Sequence, residues 1–289
     1  MRTEQQMMDL ILSTARSDER VRAVWMNGSR TNPNAPRDLF MDFDVVYAVT
    51  EMDSFLQDPS WIDCFGERII LQTPEDMHLF PPSLGGRYTY LMLFEDGNRI
   101  DLMLVPLKDA ARYAMEDRLT VYCLDKDGIL PKIPLPSDEN YHVQKPDPFC
   151  YSDCCNEFWW VSTYVAKGLW RGELLYALHH LNQPVGNMLL QMMSWLAGTR
   201  TGFTVSVGKC GKYLEKYLMP EEWEMLLATH PSGTEDAVWD ALFTACSLFS
   251  RAAKQIACHL GLQYDQGQED KVMAYLRRVQ TLPKDAKQL

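Results

Sequence analysis

Gly28-Ser29-Arg30-Thr31-Asn32-Pro33-Asn34-Ala35-Pro36-Arg37-Asp38-Leu39-Phe40-Met41-Asp42-Phe43-Asp44 joins a Gly-Ser turn to two carboxylates spaced i, i+2. The residues that follow, Val45-Val46-Tyr47-Ala48-Val49, are β-branched or aromatic apart from Ala48, and predict a strand. In an extended strand alternate side chains share a face, so Asp42 and Asp44 point the same way, about 6–7 Å apart. Met41, Phe43 and Val45 then form the apolar face.

Working outward, Val21–Met26 predicts a strand leading into the Gly-Ser turn, and residues 4–16 predict a helix from the spacing of Met7, Met8, Ile11, Leu12 and Ala15. Arg87–Phe94 and Arg99–Val105 predict a hairpin around Glu95-Asp96-Gly97-Asn98. In its second arm Ile100, Leu102 and Leu104 line one face, while Arg99 and Asp101 share the other. If this arm lies beside the Asp42–Asp44 strand, Asp101 completes a cluster of three carboxylates. Three close anions repel unless cations neutralise them, so the cluster implies Mg²⁺ or Mn²⁺. A Gly-Ser turn offers backbone N–H groups and a hydroxyl to phosphate oxygens. Phosphate and divalent metal are therefore expected in one place. Asp38 reads as a turn residue, and Glu95 and Asp96 as an exposed hairpin tip.

Residues 107–118 predict a helix and Thr120–Leu124 a last short strand. The prolines at 131, 134, 136, 146 and 148 then mark a connector. Beyond it the pattern is helical, with helices expected over 152–182, 184–197, 209–218, 220–229, 234–261 and 268–279. Asp153, Pro184 and Pro220 stand where helix starts are expected. The fold class is α+β. A mixed β-sheet domain flanked by helices spans residues 1–135, a connector 136–149, and an α-helical bundle 150–289.

The net charge of −11 disfavours a polynucleotide partner and suits a cationic small molecule. Eight cysteines are scattered without a disulfide pattern, which fits a reducing cytoplasm. Cys150, Cys154, Cys155 and His142 contain no Cys-x-x-Cys pair, so structural zinc is not expected. No leader-like start or membrane-spanning apolar run is present, so a cytoplasmic protein without a membrane partner is expected.

The conjunction of Gly28-Ser29, Asp42-Phe43-Asp44 and Asp101 resembles the nucleotidyltransferase fold of the polymerase-β type. The chain more closely resembles the aminoglycoside 6-adenylyltransferases, or streptomycin adenylyltransferases. The further matching runs are Arg99-Ile100-Asp101-Leu102, Tyr164-Val165-Ala166-Lys167-Gly168-Leu169-Trp170-Arg171 and Gly208-Lys209-Cys210-Gly211-Lys212. These runs lie in both halves of the chain.

That resemblance implies transfer of AMP from ATP to the 6-hydroxyl of streptomycin, with release of pyrophosphate, in a cleft between the two domains. Gly28 and Ser29 would hold the triphosphate. Asp42, Asp44 and Asp101 would be catalytic and hold two Mg²⁺ ions, with Asp101 also placed to act as general base. Lys167 and Arg171, one helical turn apart, would meet the departing pyrophosphate, joined by Arg30 and Lys212. Streptomycin carries two guanidinium groups and a methylamine, so Glu157, Trp160, Trp170 and Glu173 are acceptor-site candidates. Trp159 is a further aromatic of the same helix. A monomer or small homo-oligomer is expected. The rival readings are a same-fold enzyme acting on a lincosamide, another aminocyclitol or a protein, and a nucleotide-binding module without activity.

Overall fold

The computed structural model describes residues 1–82 and 84–288. Packing divides the chain into two units, Met1–Asn140 and Tyr141–Leu289.

The first unit is built on six strands: β1 (Val21–Met26), β2 (Phe43–Val49), β3 (Arg68–Gln72), β4 (Tyr88–Phe94), β5 (Arg99–Pro106) and β6 (Val121–Asp125). Their order across the sheet is β3-β4-β5-β2-β1-β6. Only β2 and β5 run parallel among these neighbours, so the sheet is mixed. The hairpin expected around Gly97 is present, with Leu91 opposite Asp101.

Alternation along the central strands sorts their side chains between two cores. Phe43, Val45, Tyr47, Ile100, Leu102 and Leu104 pack with Met7, Ile11 and Ala15 of α1 (Glu4–Ser17). Helix α2 (Asp53–Gln57) contributes Phe55 to the same side. Val46, Ala48 and Val105 face the other way and pack with Ala110 of α3 (Leu107–Tyr113) and with Ala114 just past its end. This second layer is small. Asp44 and Asp101 lie on its side of the sheet but upstream of the residues that α3 covers.

The second unit is helical: α4 (Pro148–Arg171), α5 (Leu174–His180), α6 (Gly186–Thr201), α7 (Pro220–Ala228), α8 (Glu235–Leu260) and α9 (Gln266–Thr281). One core runs through all of them, with Phe158 of α4 stacked on Phe249 of α8 at a ring separation of 3.8 Å. None of the described helices is long and apolar enough to cross a membrane.

Several boundaries differ from the sequence reading, each for a local reason. Helix α4 starts at Pro148, not near Asp153, because the Asp147 carboxylate caps it by accepting from the Cys150 N–H at 2.7 Å. It stops at Arg171, where Gly172 takes the left-handed conformation, so the expected 152–182 helix is two helices. Pro184 sits inside a wide turn that runs from α5 into α6 rather than at a helix start. Residues 209–218 form two short 3₁₀ turns instead of a helix, because Gly208, Cys210 and Gly211 all have positive φ. The helix expected over 107–118 ends at Tyr113. Strand β3 and helix α2 lie outside the elements that the sequence pattern predicts.

Candidate active site

Asp44 and Asp101 are direct partners across the parallel β2–β5 pair. Asp42 lies two residues before Asp44 on the same side. Together the three offer carboxylate oxygens that all lie within 4.8 Å of one another, in a partly buried setting. This is the geometry that strand alternation predicts for neighbouring strands.

The turn after β1 closes the site from the side. Strand β1 is antiparallel to β2, so its last residue, Met26, stands opposite Val45, and the Asn27 N–H donates to the Asp44 carbonyl at 2.9 Å. Gly28 follows with φ of 73°. Its backbone lies so close to the Asp44 side chain that a Cβ there would stand 2.8 Å from the carboxyl carbon. A side chain is excluded on both counts. Ser29 opens a 3₁₀ turn over Ser29–Thr31, held by the Thr31 hydroxyl donating to the Gly28 carbonyl at 2.9 Å. The first N–H groups of such a turn have no partner within it.

Burial, followed by the charges of Asp42 and Asp101, pushes the Asp44 carboxyl up to about 7, and Arg99 acts in the opposite sense. The protein thus holds an anion where it is unfavourable, which a bound cation relieves. Three hard oxygen donors converging in this way fit Mg²⁺ or Mn²⁺ and do not suit a soft metal. Asn27 Oδ1, on the same turn, is buried with no hydrogen-bond partner among the described residues.

Two arginines shape the cluster. Strand spacing puts Arg99 on the face of Asp101 but points to no function for it. Its Nε and Nη2 donate to the two Asp101 oxygens at 2.7 and 2.6 Å, and Nε lies 3.9 Å from Asp42 Oδ2. Arg30, a nucleotide-site candidate, turns its guanidinium inward. Nε donates to the Asp42 carbonyl at 2.8 Å, Nη2 to the Met41 carbonyl at 2.7 Å, and Nη1 pairs with Glu4 at 3.0 Å. The group lies 3.7 Å over the Phe43 ring, and only 10% of the side chain is exposed. In this arrangement Arg30 fastens the backbone that carries Asp42. Asp38 accepts from the Phe40 N–H at 2.7 Å, as a turn residue does.

Within the helical unit, Lys167 and Arg171 line one cavity of about 230 Å³ with Trp170, Tyr275 and Leu282. Lys167 Nζ sits 4.4 Å from the Tyr164 ring, and Arg171 lies 3.9 Å from Glu173. Trp170 donates to the Leu282 carbonyl at 3.1 Å. Trp160 is exposed and donates to the Tyr164 hydroxyl at 2.8 Å, whereas Trp159 is buried in the core. Glu157 is exposed. Lys212, also exposed, lies 5.0 Å from the Tyr213 ring.

Residues 1–279 match the family model described as streptomycin adenylyltransferase. An aminoglycoside 6-adenylyltransferase of Bacillus subtilis (strain 168) is 45% identical over 91% of this chain and 93% of its own. One from Campylobacter jejuni is 45% identical over 96% of each chain, and one from Staphylococcus aureus 40% identical over 89% and 92%. A crystal structure of an aminoglycoside 6-adenyltransferase from Bacillus subtilis aligns with 98% of this chain and 100% of its own, at 38% identity and a TM-score of 0.49.

Proposed function

The chain belongs to the streptomycin adenylyltransferase family, and on that premise we propose that it transfers AMP from ATP to a hydroxyl of an aminoglycoside. The acceptor proposed is streptomycin, at its 6-hydroxyl, and pyrophosphate is the second product. The observation that carries the reading is the meeting of Asp42, Asp44 and Asp101 beside the Gly28-Ser29 turn.

The acceptor oxygen attacks the α-phosphorus of ATP in line with the departing pyrophosphate. The protein's contribution to such a transfer is positioning and neutralisation of charge. Gly28 allows the backbone to approach the phosphates, and Ser29 supplies a hydroxyl and N–H donors. Asp42, Asp44 and Asp101 would hold divalent cations, two Mg²⁺ in this proposal, whose charge would offset that of the phosphates. Asp101, once free of Arg99, accepts the proton of the attacking hydroxyl. Arg30 keeps Asp42 in place through its backbone.

Lys167, Arg171 and Lys212 are proposed as cations for the triphosphate. Glu157, Trp160, Trp170 and Glu173 are proposed as contacts of the acceptor. The net charge of −11 favours a polycationic acceptor. The reading is tested by incubating purified protein with ATP, Mg²⁺ and a panel of aminoglycosides and measuring pyrophosphate. Release that depends on streptomycin supports it. Release with another acceptor alone corrects the substrate, and none with any acceptor overturns the activity.

A further inference from the structure

We propose that Arg99 is an internal counter-cation of the carboxylate triad, which competes with a divalent cation for Asp101, so that Arg99 sets the metal affinity of the site. The proposal rests on the reading of the triad as the cation site.

The guanidinium grips Asp101 with two parallel hydrogen bonds, one to each oxygen, at 2.7 and 2.6 Å. A paired fork of this kind is the strongest form of carboxylate recognition by arginine. Both Asp101 oxygens therefore accept from the guanidinium, and a cation that takes Asp101 as ligand must share them with that positive charge or replace an N–H. Nε also lies 3.9 Å from Asp42 Oδ2, so the same group spans from β5 to the residue before β2. Arg99 is the first residue of β5, and its side chain is 46% exposed. Release into solvent leaves no buried hole behind.

The alternative is that Arg99 only holds Asp101 in a productive orientation. The two roles predict opposite signs. If Arg99 competes with the metal, its removal tightens metal binding: one competitor is lost, and three carboxylates attract the ion without an offsetting guanidinium. If Arg99 orients Asp101, its removal loosens the site and weakens binding.

The test is titration of the full-length metal-free protein with Mn²⁺ alone, without nucleotide, reading free Mn²⁺ by electron paramagnetic resonance. Arg99→Gln should bind Mn²⁺ about five- to thirtyfold more tightly than the unaltered protein, a difference of about 1–2 kcal/mol. Arg99→Lys, which keeps the charge without the fork, should fall between. With Asp101→Asn in the background, Arg99→Gln should change the affinity far less. Arg99→Gln should also melt lower in chelator and gain more from Mn²⁺ than the unaltered protein. Unchanged or weaker Mn²⁺ binding in both Arg99 variants overturns the proposal. If Asp44→Asn binds Mn²⁺ as well as the unaltered protein, the triad is not the cation site and the underlying reading falls too.

Discussion

Gly28 and Asp44 are packed so closely that no side chain fits between them: a Cβ on Gly28 would lie 2.8 Å from the Asp44 carboxyl carbon. The φ of 73° at Gly28 adds backbone strain for any other residue. Gly28→Ala should therefore push Asp44 out of the triad while leaving the sheet intact. A fall of about a hundredfold or more in kcat/KM is expected, since ångström misplacement of a reacting group costs this much. An unchanged far-ultraviolet circular dichroism spectrum would confirm that the fold survives.

Asp44 should also write a pH dependence into stability. Burial first, then Asp42 and Asp101, raises its carboxyl to about 7 in the metal-free protein. Between the ordinary carboxylate range and about 7 the folded chain holds a proton that the unfolded chain releases. Stability from this group is therefore complete at low pH and is lost as pH rises through that window. Chemical denaturation in chelator should show the loss, and Asp44→Asn should flatten the slope by up to about 1.4 kcal/mol per pH unit. Mn²⁺ affinity should rise across the same window, as the competing proton leaves.

Arg30 ties three parts of the first unit together: the Met41 and Asp42 carbonyls, the Phe43 ring and Glu4 of α1. Arg30→Ala should cost about 2 kcal/mol of stability through the lost bonds and ring contact. Activity should fall through kcat, because Asp42 loses its anchor. Arg30→Lys should not restore kcat, since an ammonium cannot reach both carbonyls as the planar fork does. If Arg30→Lys restores activity and only KM for ATP changes, the residue serves the nucleotide by its charge.

In the helical unit, Arg200 pairs with nearly buried Glu222 at 2.6 and 2.7 Å, while Glu222 also accepts from the Met219 N–H. Arg200→Ala strands a buried carboxylate and should destabilise the unit by about 3–5 kcal/mol. Glu222→Gln should cost less, because the amide oxygen can still accept. Denaturant titration followed by tryptophan fluorescence, with Trp223 beside Glu222 in α7, reads both.

The legible part of the molecule was that in which one face of an element is buried. In β2 and β5, alternation separates Phe43, Val45, Ile100 and Leu102 from Asp44 and Asp101. Their lateral pairing then makes a cluster from residues distant in sequence. Strand β3 escaped because Ile69, Ile70 and Leu71 at the sheet edge are all exposed and show no alternation. Residues 209–218 misled because Leu214 and Leu218 sit at helical spacing, while backbone turns at Gly208 and Gly211 decide the conformation. Arg99 could be placed on the face of Asp101, but its approach to Asp42 depends on the neighbouring strand. The inward turn of Arg30 depends likewise on Glu4 and the Met41–Asp42 carbonyls, far from it in the chain.

The most direct measurement follows radiolabel from the α-phosphorus of ATP into streptomycin in the presence of Mg²⁺, comparing the unaltered protein with folded Asp42→Asn and Asp44→Asn variants. Labelled streptomycin and pyrophosphate in equal amounts are expected from the unaltered protein, with a loss of about a hundred- to a thousandfold in each variant. Label transfer that persists in a variant would contradict the assignment of the chemistry to the carboxylate triad.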